Sequence, residues 1–181
     1  MGCDLSPIAS LSFIDALVPR ENLIGVVNGG YKIALGGLSG GRISIAACAN
    51  GLSRAAIACA LAHLKQRKQF GRAIGEFQGL QFMLADMAMK VEAAELLTWQ
   101  AARTLETEPN SRKNRLYPAY AKCFATDAAM AITTEAVQIL GGAGYIREYQ
   151  VERLMRDAKM LQIVEGTNQI QRMVIARELL A

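Results

Sequence analysis

One carboxylate stands out by its neighbours. Within the stretch from Arg153 to Arg172, the run Ile163-Val164-Glu165-Gly166-Thr167 sets Glu165 between two apolar residues and a glycine. Apolar neighbours withdraw a carboxylate from water and raise its pKa, which would suit Glu165 to take a proton near neutral pH. The same residue types also make a surface capping carboxylate beside a turn glycine. A second stretch, Lys68-Gln69-Phe70-Gly71-Arg72-Ala73-Ile74-Gly75, is polar and glycine-punctuated and reads as a functional loop. Arg67 before it has a plain reading as a helix-ending cation favoured by the helix dipole. Other chemistries lack parts. There is one histidine, His63, and no Cys-x-x-Cys pair, so neither a zinc cluster nor a Cys–His or Ser–His nucleophile can be assembled from the motifs.

Helices must position these residues. From Tyr31 onward the pattern is helical, with Gly36, Gly37, Gly40 and Gly41 expected to interrupt it before a long helix from about Arg42 to Gln66. Ile43, Ala46, Ala47, Asn50, Arg54, Ile57, Ala58, Leu61 and Leu64 form a mixed stripe rich in small residues, which lets neighbouring helices approach closely. A second helix is expected from about Phe77 to Glu106, with one stripe from Leu80 to Leu105 in which the methionines read as core filler. Glu108-Pro109-Asn110-Ser111 breaks it, and a third helix begins between Arg112 and Pro118 and stops at Gly141, Gly142 and Gly144. A shorter helix over Val151 to Met160 and a last one from Thr167 to Leu180 follow. Thr167 is the N-cap of the last helix, and Ile170, Met173, Val174 and Leu180 recur at its helical spacing. The fold class is all-α, an antiparallel helical bundle without internal repeats.

The N-terminal part differs. Leu11-Ser12-Phe13-Ile14-Asp15-Ala16-Leu17-Val18-Pro19 alternates like a strand and breaks at Pro19. A lone strand leaves its backbone groups unpaired, so residues up to about Gly30 are expected to be mobile, docked on the bundle or paired with another copy.

The Glu165 segment, with Gln138-Ile139-Leu140-Gly141-Gly142-Ala143-Gly144-Tyr145, Arg67-Lys68-Gln69-Phe70-Gly71, Phe77-Gln78 and Arg156-Asp157-Ala158, closely resembles the C-terminal helical domain of acyl-CoA dehydrogenases, over nearly the whole chain. The resemblance implies two parts: residues 1–30 as a remnant of the middle β-domain with its linker, and residues 31–181 as the C-terminal helical bundle. It implies FAD as cofactor, an acyl-CoA substrate of short or branched type, electron-transferring flavoprotein as acceptor and a homo-oligomer. In the resembling enzymes a glutamate removes the α-proton of the thioester while the β-hydride passes to the flavin. Glu165 matches that base. Its backbone N–H and a ribityl hydroxyl of the flavin are the family's donors to the thioester carbonyl.

The same resemblance assigns Arg67, Gln69 and Phe70 to the FAD-binding loop, where a guanidinium can offer paired donors to a pyrophosphate and Phe70 can pack on the cofactor. Phe77 and Gln78 match a further FAD contact. Gln138, Gly141 and Gly142 match a segment that reaches FAD bound mainly to a partner subunit, the glycines also serving as the helix stop. Thr167 and Gln169 match flavin-side contacts. Ser39, Arg42 and Gly166 match substrate positions, although many members have Asp or Asn where Ser39 stands. Some members carry the catalytic glutamate at the position of Gly41, and glycine cannot act as a base.

Length and composition bound the alternatives. The 181 residues are 52% hydrophobic, enough for one domain with a sizeable core. The net charge of +4 is modest, and its one tight basic cluster, Arg112, Lys113 and Arg115, has no interleaved aromatics, which argues against a nucleic-acid surface. Four dispersed cysteines, Cys3, Cys48, Cys59 and Cys123, read as reduced and structural. No uninterrupted apolar run reaches the ~18–20 residues of a membrane span. The opening Met1-Gly2-Cys3-Asp4 lacks the pattern of a signal or transit peptide, which makes a cytoplasmic location the expectation. A non-catalytic helical assembly module, a truncated relic that does not bind FAD, is the alternative function.

Overall fold

The computed structural model describes residues 1–181. Six α-helices carry the fold: α1 (Gly30–Gly36), α2 (Leu38–Gln66), α3 (Gln78–Thr107), α4 (Lys113–Leu140), α5 (Val151–Leu161) and α6 (Asn168–Leu180). Two short strands, β1 (Lys68–Gln69) and β2 (Arg72–Ala73), pair antiparallel between α2 and α3. The bundle expected from the periodicity is present. The glycines at 40 and 41 do not interrupt α2, which starts at Leu38 and runs through them. Intrahelical bonding over 29 residues outweighs a propensity deficit of about 1 kcal/mol per glycine.

Helix α4 packs against α2, α3, α5 and α6 and is the axis of the domain. Two apolar clusters lie along it. Near one end, Ala46 and Ala49 of α2, Ala94 and Ala101 of α3, Ala121, Ala125 and Ala129 of α4, and Ala158 of α5 make a fully buried centre, with Leu161 beside them and larger, partly buried side chains such as Ile43, Leu97 and Tyr117 at its margin. Near the other, Leu64, Met87, Val91, Ile132, Ile139 and Leu154 make an ordinary aliphatic core. Buried hydroxyls in the helices are satisfied locally: Ser53 donates to the Ala49 carbonyl (2.8 Å) and Thr133 to that of Ala129 (2.7 Å). Pro118 lies in the second turn of α4 and is buried, and with no N–H it cannot donate to the Asn114 carbonyl one turn before it.

The Leu11 to Pro19 segment, where alternation predicts a strand, pairs with nothing, and a 3₁₀ turn at Arg20–Asn22 follows. A strand needs a neighbour to take its backbone hydrogen bonds, and the two-residue strands β1 and β2 pair only with each other. Leu11, Phe13, Ile14 and Leu17 stand in solvent. Only the first residues are tied down: Cys3 N–H donates to Asp157 (2.5 Å), and Arg156 bonds the Met1 carbonyl. Helix α6 is also unlike its expected form, because its buried residues are Asn168, Gln171 and Glu178, while Ile170, Met173 and Leu180 face outward. The continuous stretch Gly30–Gln66 is long and apolar enough, by length and composition, to cross a membrane, yet its α2 part lies against α3 and α4 through Ala46, Ala49, Asn50, Ser53, Ala56 and Ala60.

Candidate active site

Glu165 lies at the junction of α5 and α6, in a left-handed backbone conformation (φ +55°), followed by Gly166 at +84°. Two consecutive residues of this kind reverse the chain sharply. Glycine takes such a φ freely, but a glutamate does so at a cost of order 1–3 kcal/mol unless its surroundings fix it. The turn aims the Glu165 carboxylate at the first turn of α2. A Cβ placed on Gly41 would lie 2.8 Å from the carboxyl carbon, so the carboxylate occupies the space a side chain at 41 would need.

Arg42, next in α2, is half-buried with its Nε unbonded. Burial holds its guanidinium below the ordinary arginine value, and the nearby Glu165 charge offsets part of that. Ser39 stands on the same first turn of α2. Ile163 is 56% exposed and Val164 half-buried, so only one of the two expected apolar walls packs against the bundle in this chain. The N–H of Glu165 donates to no group in the chain, which leaves a half-buried backbone donor available beside the carboxylate.

Beneath the turn is a polar cluster. Asn168, the first residue of α6, donates to Asp127 Oδ1 (2.7 Å) and exchanges hydrogen bonds with Thr126 Oγ1 (2.8 and 3.1 Å). Asp127 also accepts from Gln162 Nε2 (2.6 Å) and Arg172 (2.6 Å). Burial pushes the Asp127 carboxyl up, but the donors Arg172, Asn168 and Gln162 outweigh it and hold the group below its usual range. Lys122 and Gln171 complete the cluster. None of Lys122, Asp127, Asn168, Gln171 or Arg172 is singled out by the motifs. The available signal was weak: a lysine inside an alanine-rich helix, and polar residues at positions 168 and 171 of an otherwise apolar-patterned helix.

The cofactor candidates divide between the two ends of the bundle. Thr167 and Gln169 adjoin Glu165. Thr167 caps α6 as expected, its side chain accepting from the Ile170 N–H (3.3 Å). Arg67, Gln69, Phe70, Phe77 and Gln78 collect at the far end, around the β1–β2 hairpin. The hairpin turn consists of Phe70 (φ +52°) and Gly71 (φ +81°), the two-residue geometry whose twist suits antiparallel strands. Phe70 is thereby held 90% exposed, its ring edge-on to Phe77 with centroids 6.1 Å apart. Arg72 stacks over the other ring at 4.1 Å. Neither Arg67 nor Arg72 pairs with a carboxylate. The exposed Phe70 ring beside guanidiniums without carboxylate partners fits a planar, phosphate-bearing group.

Gln138 and Gly141, at the end of α4, and Gly142 beyond it belong to the same far end: Leu140 shares a cleft with His63 and Gln66 of α2. Gly141 stops α4 with φ +60°, and Gln138, Gly141 and Gly142 are exposed. From Gly41 to Arg67 α2 rises about 40 Å. The sequence pattern had not separated these two groups. All four cysteines are free, and Cys48, expected to be packed, is exposed on α2.

Similarity to known proteins identifies the family. The model of the acyl-CoA dehydrogenase C-terminal domain matches residues 28–180. A curated relative, "Probable acyl-CoA dehydrogenase FadE25" of Mycobacterium tuberculosis, is 50% identical over 181 residues, which are 99% of this chain and 46% of that protein. Butyryl-CoA dehydrogenase from Megasphaera elsdenii superposes with a TM-score of 0.85 at 49% identity, over 91% of this chain and 42% of that one. A chain from a structural study of the electron transferring flavoprotein of Acidaminococcus fermentans gives 0.87 at 52% identity, over 93% of this chain and 43% of its own. The chain thus spans less than half the length of the proteins it matches. A carboxylate seated on a helical glycine, a capped final helix and a domain match over most of the residues converge on one conclusion: the chain belongs to the acyl-CoA dehydrogenase family.

Proposed function

We propose that this chain is the C-terminal helical part of an FAD-dependent acyl-CoA dehydrogenase in which Glu165 removes the α-proton of an acyl-CoA thioester. The observation that carries the reading is the placement of the Glu165 carboxylate on Gly41, with the Arg42 side chain beside it and its own N–H unpaired. A base needs a fixed approach to the α-carbon, and that proton becomes acidic enough for a carboxylate only when the thioester carbonyl is polarised. Glu165 supplies the acceptor, and its N–H is the donor from this chain to the carbonyl oxygen. Gly166 and Ser39 border the thioester, and Arg42 brings positive charge to the same place. FAD, when bound, supplies the acceptance of the β-hydride. Thr167 and Gln169 would hold its flavin side, while Arg67, Gln69, Phe70, Phe77, Gln78, Gln138, Gly141 and Gly142 would hold FAD at the opposite end.

A separation of about 40 Å along α2 is more than one extended dinucleotide spans, so the two groups of residues serve cofactors in two copies. A homo-oligomer, at least a dimer, follows from this reading. Similarity to a butyryl-CoA dehydrogenase supports a short acyl chain, and similarity to a chain solved in the study of an electron transferring flavoprotein supports that class of acceptor. Residues 1–30 end a β-domain whose remainder completes the cofactor crevice.

With an N-terminal half supplied and FAD bound, Glu165→Gln should keep the flavin but slow its bleaching by butyryl-CoA by ~10²–10⁴-fold or more. Arg67→Ala should instead weaken flavin retention. Bleaching at the parent rate by Glu165→Gln would place the base elsewhere. A second reading, a non-catalytic assembly module, is favoured by the exposed apolar residues Leu11, Phe13 and Leu17 and by the outward Ile170 and Met173. It takes over if no combination of halves binds FAD.

A further inference from the structure

Lys122 is the largest side chain with no exposure to solvent, and it sits among alanines on the inner face of α4. A lysine is seldom fully buried, because its charge leaves water at a cost that only good partners offset. Its partners lie 44 and 46 residues downstream: Nζ donates to the Gly166 carbonyl (3.0 Å) and to Asn168 Oδ1 (2.8 Å). The Gly166 carbonyl also accepts from Gln171 Nε2 (2.8 Å), which in turn reaches the Glu165 carbonyl (3.1 Å). The two peptide units that leave the left-handed residues are thus held from below by one cation and one amide, both fully buried.

We infer that Lys122 is a positioning residue for the Glu165–Gly166 turn: its ammonium fixes the Gly166 carbonyl, and through it the backbone twist that seats the Glu165 carboxylate on Gly41. The role as an aid to catalysis rests on Glu165 being the base; the role as a fastener does not. A charge-assisted donor is stronger than the neutral one that an uncharged amine or an amide would supply, which matters where a non-glycine residue must be kept at positive φ. Asn168 ties the same ammonium to Thr126 and Asp127, so the fastener is anchored in the polar cluster as well as on the helix.

The titratable and charged groups facing Lys122 are Cys123 and Asp127 from α4, Arg42 from α2 and Glu165 from the junction, with Arg172 of α6 acting through Asp127. Burial pushes the ammonium down to about 8, against Cys123 and the carboxylates of Asp127 and Glu165. Burial pushes the Cys123 thiol up from 9.0, which keeps it titrating above Lys122. Lys122 is therefore the group of this set whose charge changes near pH 8.

The chain labelled with ¹³C and ¹⁵N reports the contact directly. Between pH 6 and 10 the Gly166 carbonyl carbon and the Lys122 Nζ nitrogen should move together, with a common midpoint near 8. A Gly166 carbonyl that stays still while Lys122 titrates overturns the inference. In Lys122→Met, the Glu165 Cα and Cβ shifts should leave their left-handed values, whereas Ile132→Val, a core truncation on the same helix, should leave them in place. Equal changes in both variants would reduce Lys122 to a general stabiliser and also overturn it. The parent titration decides the matter even where Lys122→Met does not fold. Failure of the base reading is seen separately, as unaltered flavin bleaching in Glu165→Gln with the carbonyl titration intact.

Discussion

The two ends of the bundle are built on different plans. At the Glu165 end the helices meet through alanines, and the space so saved holds a buried lysine, an asparagine and a glutamine. At the hairpin end they meet mainly through leucine, isoleucine, valine and methionine, and Arg67, Phe70 and Arg72 stand outside in water. The first plan brings backbones close and fixes a turn from within. The second leaves a stiff two-residue turn to present Phe70 outward. Close-packed alanine has no volume to lose but cannot accept more, whereas an aliphatic core tolerates rearrangement but suffers when it is hollowed.

Substitutions on α4 can break this contrast. Ile132→Ala at the aliphatic end should cost about 2–5 kcal/mol through lost burial and the cavity left behind. Ala129→Leu, three residues away in the alanine cluster, should cost about 1–3 kcal/mol through overpacking. Denaturant unfolding measures both, and an Ala129→Leu protein as stable as the parent would show that the helices are not close-packed there.

A smaller effect sharpens the picture at the site itself. Thr167→Ala removes the cap of α6 and should cost about 1 kcal/mol, with faster amide exchange over Ile170 and the first turn and no change at the hairpin. Last is an effect of acid. The carboxyl of Asp127 is held below its unfolded value of 3.8, so its stabilising contribution is complete above that value and is lost as pH falls through the lower, folded one. Loosening below pH 3.8 should appear first in the Gln162, Asn168 and Arg172 resonances, and simultaneous loss at both ends would remove the distinction between them.

Long periodic helices were legible in advance: α3 spans Gln78–Thr107 where about Phe77 to Glu106 is expected, and α4 ends at Leu140, just before the Gly141 stop. Thr167 was legible as a cap because its hydroxyl serves neighbours in sequence. The start of α2 was not, because glycine propensity is a local quantity and the rest of the helix overrides it. The stripe on α6 was misleading for a related reason: helical spacing finds an apolar face without telling what that face meets, and here the polar face turns inward. The place of Glu165 at a junction between helices could be read from the segments on either side of it. Lys122 could not, because its partners are more than 40 residues distant and only the packing of α6 on α4 brings them together.

The space beside Gly41, filled by the Glu165 carboxylate, also bears on which helix can supply a carboxylate there. The room there admits a single carboxylate, so a glutamate introduced at 41 and the present Glu165 would exclude one another, and each single substitution is expected to be poorer than either end state. The paired change is the easy one. Glycine at 165 would relax a backbone already at φ +55°, and glutamate at 41 would improve a helix that now carries two adjacent glycines. The same space can therefore be filled from the α5–α6 junction or from α2, which makes the origin of the carboxylate an interchangeable detail of a fixed cavity.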